Sequence, residues 1–208
     1  MQFTRNSPAR TPRIGAIVLA AGTSSRMGRN KLLIEIDGEP LVRHVAATVA
    51  ASRASPVVVV TGSEEENMRA ALTGLPVSIV FNPDYREGLS ASLRTGVQEI
   101  PDGCDGAVVV LGDMPGVSGT LVDRLIDAFD PDENREICVA TSGGKRGNPV
   151  LWGRRFFADL LGIAGDVGAK HLIAENEEMV CEVEAPDEDP LTDIDTPEAL
   201  AAWLARHK

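Results

Sequence analysis

Buried-strand and helix patterns alternate along the first part of the chain. Unbroken apolar runs of strand length lie at Ile14 to Ala20, Pro56 to Thr61 and Ala107 to Leu111, and such runs are typical of parallel strands covered on both faces. Apolar residues recur at the helical period from Leu41 to Ala54, between the first two runs, and from Ser118 to Phe129, after the third. This alternation predicts an α/β fold with a mostly parallel sheet and right-handed crossovers.

The second half of the chain departs from this regular alternation. A strand is predicted from Ile137 to Thr141 and an extended segment from Pro149 to Trp152, and the glycine-rich, basic loop SGGKRGNP joins them. Such a loop suits a second anionic ligand, although a surface hairpin explains the composition equally well. Further predicted elements are the helices Arg154 to Leu161 and Ala169 to Glu175, the strand Met179 to Val183, and the loop GIAGDVG around Asp166.

Composition and length indicate one globular domain. The chain has 208 residues, of which 43% are hydrophobic and 25% are charged. We expect a disordered polar tail over residues 1–13 and a single domain over residues 14–208. No apolar run reaches the ~20 residues of a membrane span, and the run after the tail is short for a signal peptide. The expected location is the cytoplasm, without membrane contact.

The acidic composition of the chain argues against nucleic-acid binding and restricts how an anionic substrate could bind. A formal net charge of −11 argues against sequence-independent nucleic-acid binding, which depends on Lys and Arg contacts to phosphates. An anionic substrate would therefore have to be met by local cations or by a metal ion.

Two cations follow the first strand, on a loop that contains glycine. Arg26 and Lys31 come after Gly22, and this arrangement suits a polyphosphate, because glycine lets backbone N–H groups approach phosphate oxygens. The spacing matches neither the dinucleotide fingerprint nor the Walker P-loop. An ordinary strand-to-helix turn with two solvated cations remains the alternative.

Two aspartates at the ends of extended segments are candidate metal ligands. Asp113 follows the strand that ends at Leu111, at the edge where ligands of open α/β sheets bind, although a simple turn residue is the alternative. Asp195 is not needed as a helix cap, because Thr196 and Pro197 supply that role. Two carboxylates beside Lys and Arg suit Mg²⁺-assisted phosphoryl or nucleotidyl transfer.

Six sequence blocks carry a family resemblance. The blocks LAAGTSSRMGRNKLL, EGLSASLRTG, LGDMPG, GKRGNPVLW, LLGIAGDVGAK and DIDTPEAL occur in an order that resembles the molybdenum cofactor cytidylyltransferases, within the MobA-like NTP transferase superfamily. The resemblance implies a three-layer α/β/α Rossmann-like nucleotidyltransferase fold. It also implies transfer of CMP from CTP to the phosphate of molybdopterin, with Mg²⁺ as cofactor and release of pyrophosphate.

The resemblance also implies a set of site residues. The catalytic residues would be Arg26, Lys31 and Asp113, and the metal ligands Asp113 and Asp195, with Asp193 as the substitute for Asp195. The nucleotide would be bound by residues in the first half of the chain: Leu19, Ala20, Ala21, Gly22, Lys31, Thr61, Gly62, Asn82 and Ser92. The acceptor would contact Lys145, Arg146, Gly147, Asn148 and Asp166, although the family commonly has His at the position of Asn148.

The sequence indicates the type of reaction more specifically than it indicates the substrates. Guanylate-transferring relatives usually carry a second glycine at the position of Ala21, so the methyl group there favours CTP. Relatives with the same first loop use GTP, or a sugar or polyol phosphate as acceptor. A non-catalytic nucleotide-binding partner of a molybdenum hydroxylase is a further alternative, against which the retained Arg26, Lys31 and the two aspartates argue.

Overall fold

The computed structural model describes residues 11–22, 30–165 and 168–186, together with residues 199, 202, 203 and 205. Its strands are β1 Ile14–Ala20, β2 Glu35–Ile36, β3 Glu39–Pro40, β4 Val57–Thr61, β5 Ser78–Phe81, β6 Gly106–Leu111, β7 Ile137–Ser142, β8 Lys145–Gly153 and β9 Val180–Glu184. Its α-helices are α1 Leu41–Ala50, α2 Glu65–Ala71, α3 Leu89–Gln98, α4 Gly119–Ala128, α5 Phe157–Gly162 and α6 Lys170–Glu175. Within these ranges no helix is long and apolar enough to cross a membrane.

The strands form a seven-stranded sheet in the order β5, β4, β1, β6, β8, β7, β9, and β2 pairs separately with β3. Strand β1 lies inside the sheet and is parallel to both of its neighbours, β4 and β6. Among the strands of the described residues, only β8 runs antiparallel to both of its neighbours, namely β6 and β7. The prediction of a mostly parallel sheet is therefore confirmed, and the antiparallel strand falls in the second half of the chain, where the regular alternation ends.

Helices cover both faces of the sheet and bury its alternating side chains. Ala16 and Val18 of β1 pack into an apolar cluster with α1, α2 and α4. Ile17 and Leu19, which point to the opposite face, pack into a second cluster with α3, α5 and α6. Burial of one strand on both faces explains the unbroken apolar runs in the sequence. The three-layer α/β/α Rossmann-like architecture is confirmed.

The segment between β7 and β8 differs from the sequence prediction. The sequence predicts a loop up to Asn148, whereas β8 already begins at Lys145. Gly143 and Gly144 have φ angles of 55° and 75°, and this left-handed backbone lets the chain reverse in a tight turn. The hairpin interpretation of the basic segment is thus the correct one. Ligand binding by the same residues remains a prediction.

Helix α3 is packed unusually close to the sheet. A Cβ atom on Gly96 would lie 2.3 Å from Cγ2 of Ile17 and 3.1 Å from Cγ2 of Val60, so only glycine allows this approach. Because α3 follows the carboxyl end of β5, its first turn lies at the edge where the parallel strands end. This packing fixes the position of α3 relative to β1 and β4.

Candidate active site

The candidate site lies where the strand order reverses. From β1 the chain passes outward to β4 and β5, and it then returns to the other side of β1 as β6. The carboxyl ends of β1 and β6 are in contact, since the Gly112 N–H donates a hydrogen bond to the carbonyl oxygen of Leu19 (2.9 Å). Ligands of open α/β sheets bind in the crevice formed at such a point. Gly22 and Asp113 leave the sheet here.

Lys31 and Asp113 form an ion pair at this point, although 82 residues separate them in the chain. Lys31 Nζ lies 2.5 Å from Asp113 Oδ2, and the two side chains are only 14% and 17% exposed. Both charges are therefore partly shielded from solvent, which makes their attraction stronger than that of a surface pair. The structure brings together these two predicted catalytic residues.

Asn30 explains locally why Lys31 is held in this position. Its side-chain Oδ1 accepts a hydrogen bond from the Leu32 N–H (3.1 Å), which caps the short 3-10 turn Lys31–Leu33. Asn30 is only 6% exposed. The sequence reasoning missed this residue, although an Asn at the start of a helical turn is a recognisable capping signal.

The first strand presents mostly backbone to the predicted nucleotide site. Leu19, Ala20 and Ala21 are buried, and a Cβ atom on Gly22 would meet no atom of the described residues within 4 Å. Gly22 is also exposed, and among the described residues nothing would block the close approach of a phosphate to its backbone. Ala21 is only 4% exposed, so its methyl group offers little surface to a base.

Gly62 lies between Tyr85 and the residue that follows β1, Ala21, beside the candidate site. A Cβ atom there would lie 2.6 Å from Cβ of Tyr85 and 2.8 Å from the carbonyl oxygen of Ala21. Any larger residue would have to displace one of these groups, so Gly62 sets the spacing between Tyr85 and the end of β1. Sequence reasoning missed Tyr85, because a single aromatic residue in a turn carries no signal of this contact.

The remaining polar residues predicted to bind nucleotide are buried and hydrogen-bonded to the protein. The Asn82 amide Nδ2 donates to Ser92 Oγ (3.1 Å), and Asn82 Oδ1 accepts from the Asp84 N–H (3.0 Å). Thr61 Oγ1 donates to the carbonyl oxygen of Val80 (3.3 Å). These contacts fasten the start of α3 to the ends of β4 and β5. The observed contacts of these residues are therefore structural, and nucleotide binding by these residues stays a prediction.

A β-bulge displaces the predicted acceptor residue Asn148. Along the β7 and β8 pair, Ala140 faces Gly147 while Val139 faces Val150, so Asn148 and Pro149 are extra residues on β8. The bulge lies beside the end of β6, because Val150 also pairs with Val109. Bulges re-aim side chains and are common beside active sites. Gly147 and Asn148 are both half-buried there.

Arg146, in contrast, is engaged by two carboxylates at the other side of β8. Its guanidinium lies 2.5 Å from Glu177 Oε1 and 2.7 Å from Glu182 Oε1. Hydrogen bonds to Glu177 and Glu182 raise the pKa of Arg146, and the bond to Arg146 lowers the pKa of Glu177. A phosphate would have to compete with both carboxylates for Arg146. Neighbouring Lys145 is exposed.

Four predicted site residues lie outside the described residues: Arg26, Asp166, Asp193 and Asp195. Among the described residues, no group of three or more His, Cys, Asp or Glu side chains is placed to hold a metal ion. Asp113 alone still fits Mg²⁺, because this ion takes oxygen ligands and is commonly bound by one or two carboxylates together with substrate phosphates and water.

Comparison with known proteins gives a family match over most of the chain. The family model described as "MobA-like NTP transferase domain" matches residues 16–180. This range includes most of β1, together with Lys31, Asp113 and the bulge of β8.

Two curated relatives point to different processes. The purine catabolism protein PucB of Bacillus subtilis is 31% identical over 200 residues, which cover 91% of this chain and 95% of PucB. The probable molybdenum cofactor guanylyltransferase of Thermococcus sibiricus is 32% identical over 124 residues, which cover 59% of each chain.

A solved structure shares the fold over nearly the whole length. Rv0371c from Mycobacterium tuberculosis H37Rv is 27% identical, covers 94% of this chain and 99% of its own, and has a TM-score of 0.79. A second structure of that protein is a complex with manganese, with a TM-score of 0.74.

Proposed function

The chain belongs to the family of MobA-like NTP transferase domains, and from this premise we propose that it transfers CMP from CTP to the phosphate of a molybdopterin cofactor. The observation that carries the proposal is the Lys31 and Asp113 ion pair, at the crevice where β1 and β6 end. A cation and a carboxylate held together there suit a metal-bound polyphosphate better than an uncharged ligand.

In the proposed reaction an oxygen of the acceptor phosphate attacks the α-phosphorus of CTP, and the bond to pyrophosphate breaks. The attacking oxygen is already anionic, so no general base is needed. Lys31, with Arg26, would neutralise the charge that develops on pyrophosphate, and the exposed backbone of Gly22 would contact the phosphates. The half-buried Asn148 on the bulge would face the acceptor.

Asp113, with Asp195, would hold Mg²⁺ in this site. When bound, the ion supplies positive charge to the phosphate oxygens, which stabilises the transition state. Manganese in the related Rv0371c structure supports a divalent cation in this family, while the choice of Mg²⁺ is part of the proposal.

The preference for CTP rests on the position of Ala21. Because Ala21 is only 4% exposed, its methyl group gives the preference for CTP over GTP only weak support. A single methyl group discriminates by about 1 kcal/mol, so it alone would give only about fivefold to tenfold preference.

The second candidate is guanylyl transfer from GTP to the same acceptor. It is favoured by the 32% identity to the probable guanylyltransferase of Thermococcus sibiricus. A sugar or polyol phosphate acceptor, or a non-catalytic role beside a molybdenum hydroxylase, remains a further alternative. PucB, which is named a purine catabolism protein, is similar to this chain over 95% of its own length. If this chain has a role in the same process, the molybdenum hydroxylase that receives its product would act in purine catabolism.

The decisive experiment measures pyrophosphate release from each of the four NTPs with Mg²⁺, with and without molybdopterin cofactor. We expect release that requires both CTP and the cofactor. Release from GTP alone would favour the second candidate, and release with a sugar phosphate in place of molybdopterin would change the acceptor. If no NTP yields pyrophosphate while CTP still binds, the non-catalytic alternative is correct.

A further inference from the structure

Helix α3 has two polar sides that serve different parts of the molecule. On one side Ser92 accepts the hydrogen bond from Asn82, at the ends of β4 and β5. Ser90 and Arg94 lie four residues apart and therefore share another side of the helix. That side faces the segment that follows α5, Ile163–Gly165.

Two side chains of α3 bind this segment through its backbone. Arg94 Nη1 donates to the carbonyl oxygen of Ile163 (2.7 Å), and Ser90 Oγ donates to the carbonyl oxygen of Gly165. Arg94 also contacts Ser90 Oγ (3.4 Å) and Glu87 Oε2 (3.4 Å). The Arg94 side chain is 28% exposed, so its bonds to the segment are partly shielded from water.

The bound segment lies on the β6 and β8 side of the candidate site. Strand β8 runs opposite to β6, so α5 returns from its end toward the edge where β6 ends. Phe157 and Leu160 of α5 pack in the same apolar cluster as Trp152 of β8. Beyond Gly165, a Cβ atom on Gly168 would lie 3.8 Å from Cδ2 of Leu89, so the chain stays close to the first turn of α3.

The backbone of the segment needs this support. Gly165 has a φ angle of 78°, and within the described residues the carbonyl groups of Ile163 and Gly165 receive their hydrogen bonds from α3 side chains. Side-chain donors thus replace the regular structure that a helix or strand would provide.

We infer that Arg94 is a positioning residue for the acceptor side of the site. It fixes the Ile163–Gly165 segment to α3, and α3 is fixed independently to the nucleotide side through Ser92. The inference rests on the proposed function, because it assigns the two sides of α3 to the two substrates. Loss of Arg94 then impairs use of the acceptor and leaves nucleotide binding intact.

The test compares Arg94→Ala and Arg94→Lys with a matched control, Arg154→Ala. Arg154 also donates to backbone carbonyl groups, those of Cys104 and Pro101. It follows the last residue of β8, which lies beside the start of β6 and therefore at the end of the sheet opposite the candidate site. The readouts are the KM for molybdopterin and kcat in the pyrophosphate assay, the Kd for CTP with Mg²⁺ by calorimetry, and hydrogen exchange of peptides spanning residues 157–175.

For Arg94→Ala we expect the KM for molybdopterin to rise between about tenfold and a hundredfold, because a displaced segment misplaces the acceptor. The Kd for CTP stays within about twofold, and exchange around residues 163–165 becomes faster. Arg94→Lys recovers part of the KM, since one N–H donor to Ile163 is retained. Arg154→Ala lowers the melting temperature and leaves the KM for molybdopterin unchanged.

The inference is overturned if Arg94→Ala changes the KM for molybdopterin no more than Arg154→Ala does, or if the Kd for CTP shifts equally. That result would leave the proposed function in place. If the wild-type protein releases no pyrophosphate with molybdopterin, the proposed function itself fails and the inference fails with it. Hydrogen exchange would then report only whether Arg94 holds the segment.

Discussion

Asp113→Asn tests whether the ion pair in the crevice is a metal and phosphate site. Asn keeps the size of the side chain and removes its charge. At 2.5 Å and an effective dielectric constant near 20, the gross Coulomb attraction to Lys31 is about 7 kcal/mol, and desolvation of two partly buried charges offsets most of it. We take the net contribution of the pair as about 1–2 kcal/mol.

Three results are expected for Asp113→Asn. Turnover with Mg²⁺ falls at least a hundredfold, because an oxygen ligand of the metal is lost. The melting temperature falls by about 2–8 °C. Asp113→Asn binds metal-free CTP between about fivefold and thirtyfold more tightly than the wild type, because the ion pair no longer has to break before Lys31 binds a phosphate. A loss of 1–2 kcal/mol leaves a domain of ordinary stability folded, so unfolding cannot explain the turnover result.

The assay combines pyrophosphate release, thermal unfolding and calorimetry with CTP in EDTA. Asp123→Asn is the control, since Asp123 likewise pairs with a cation, Arg53, and accepts the Arg53 backbone N–H, away from the crevice. The control should lose stability without losing turnover. More than a tenth of wild-type turnover in Asp113→Asn would refute the metal role, and weaker metal-free binding of CTP would refute the competition for Lys31.

Three further predictions concern packing and titration. Gly62→Ala should lose about 1–3 kcal/mol of folding free energy, measured by denaturant unfolding, because its Cβ would overlap Tyr85; a loss below 0.5 kcal/mol would contradict the contact. Burial raises the pKa of Cys138 to about 12, so iodoacetamide at pH 8 should label Cys181 first, as mass spectrometry of timed samples would show. Hydrogen bonds from the Thr141 hydroxyl and the Gly143 N–H lower the pKa of Glu184. The ionised Glu184 therefore stabilises the fold above its unfolded pKa, near 4.3, and this stabilisation is lost as the pH falls through its folded pKa. In Glu184→Gln the melting temperature should fall less between pH 5 and pH 3 than it does in the wild-type protein.

The elements of the sheet core were predictable because one physical condition determined them. Burial on both faces requires continuous apolar runs, and Ile14–Ala20 is a strand with the bounds that its run predicts. The β7 and β8 hairpin was less predictable. Its turn depends on the left-handed backbone of Gly143 and Gly144, and a glycine-rich sequence is compatible with both that turn and an open loop.

The types of residue in the candidate site follow from the sequence, whereas the contacts between them follow only in part. A rim carboxylate and a loop cation follow from the ends of the strands, but nothing in the sequence states that Asp113 and Lys31 are in contact. The same limit applies to Arg146. Its basic neighbourhood suggests an anion site, whereas the pairing of β7 with β9 brings Glu182 within 2.7 Å of it. Long-range strand pairing decides which charges remain available.

The arrangement of charges explains how an acidic protein can admit a nucleoside triphosphate. A net charge of −11 repels a free polyphosphate, and the described crevice holds a lysine whose charge is already balanced by Asp113. In the proposed reaction a metal-bound triphosphate would replace both partners of the ion pair at once, since the cation would bind the carboxylate and the phosphates would bind the lysine. Neither charge is left buried and unpaired during this exchange, which avoids the large cost of an uncompensated charge. If the proposal is correct, nucleotide and metal should therefore bind cooperatively.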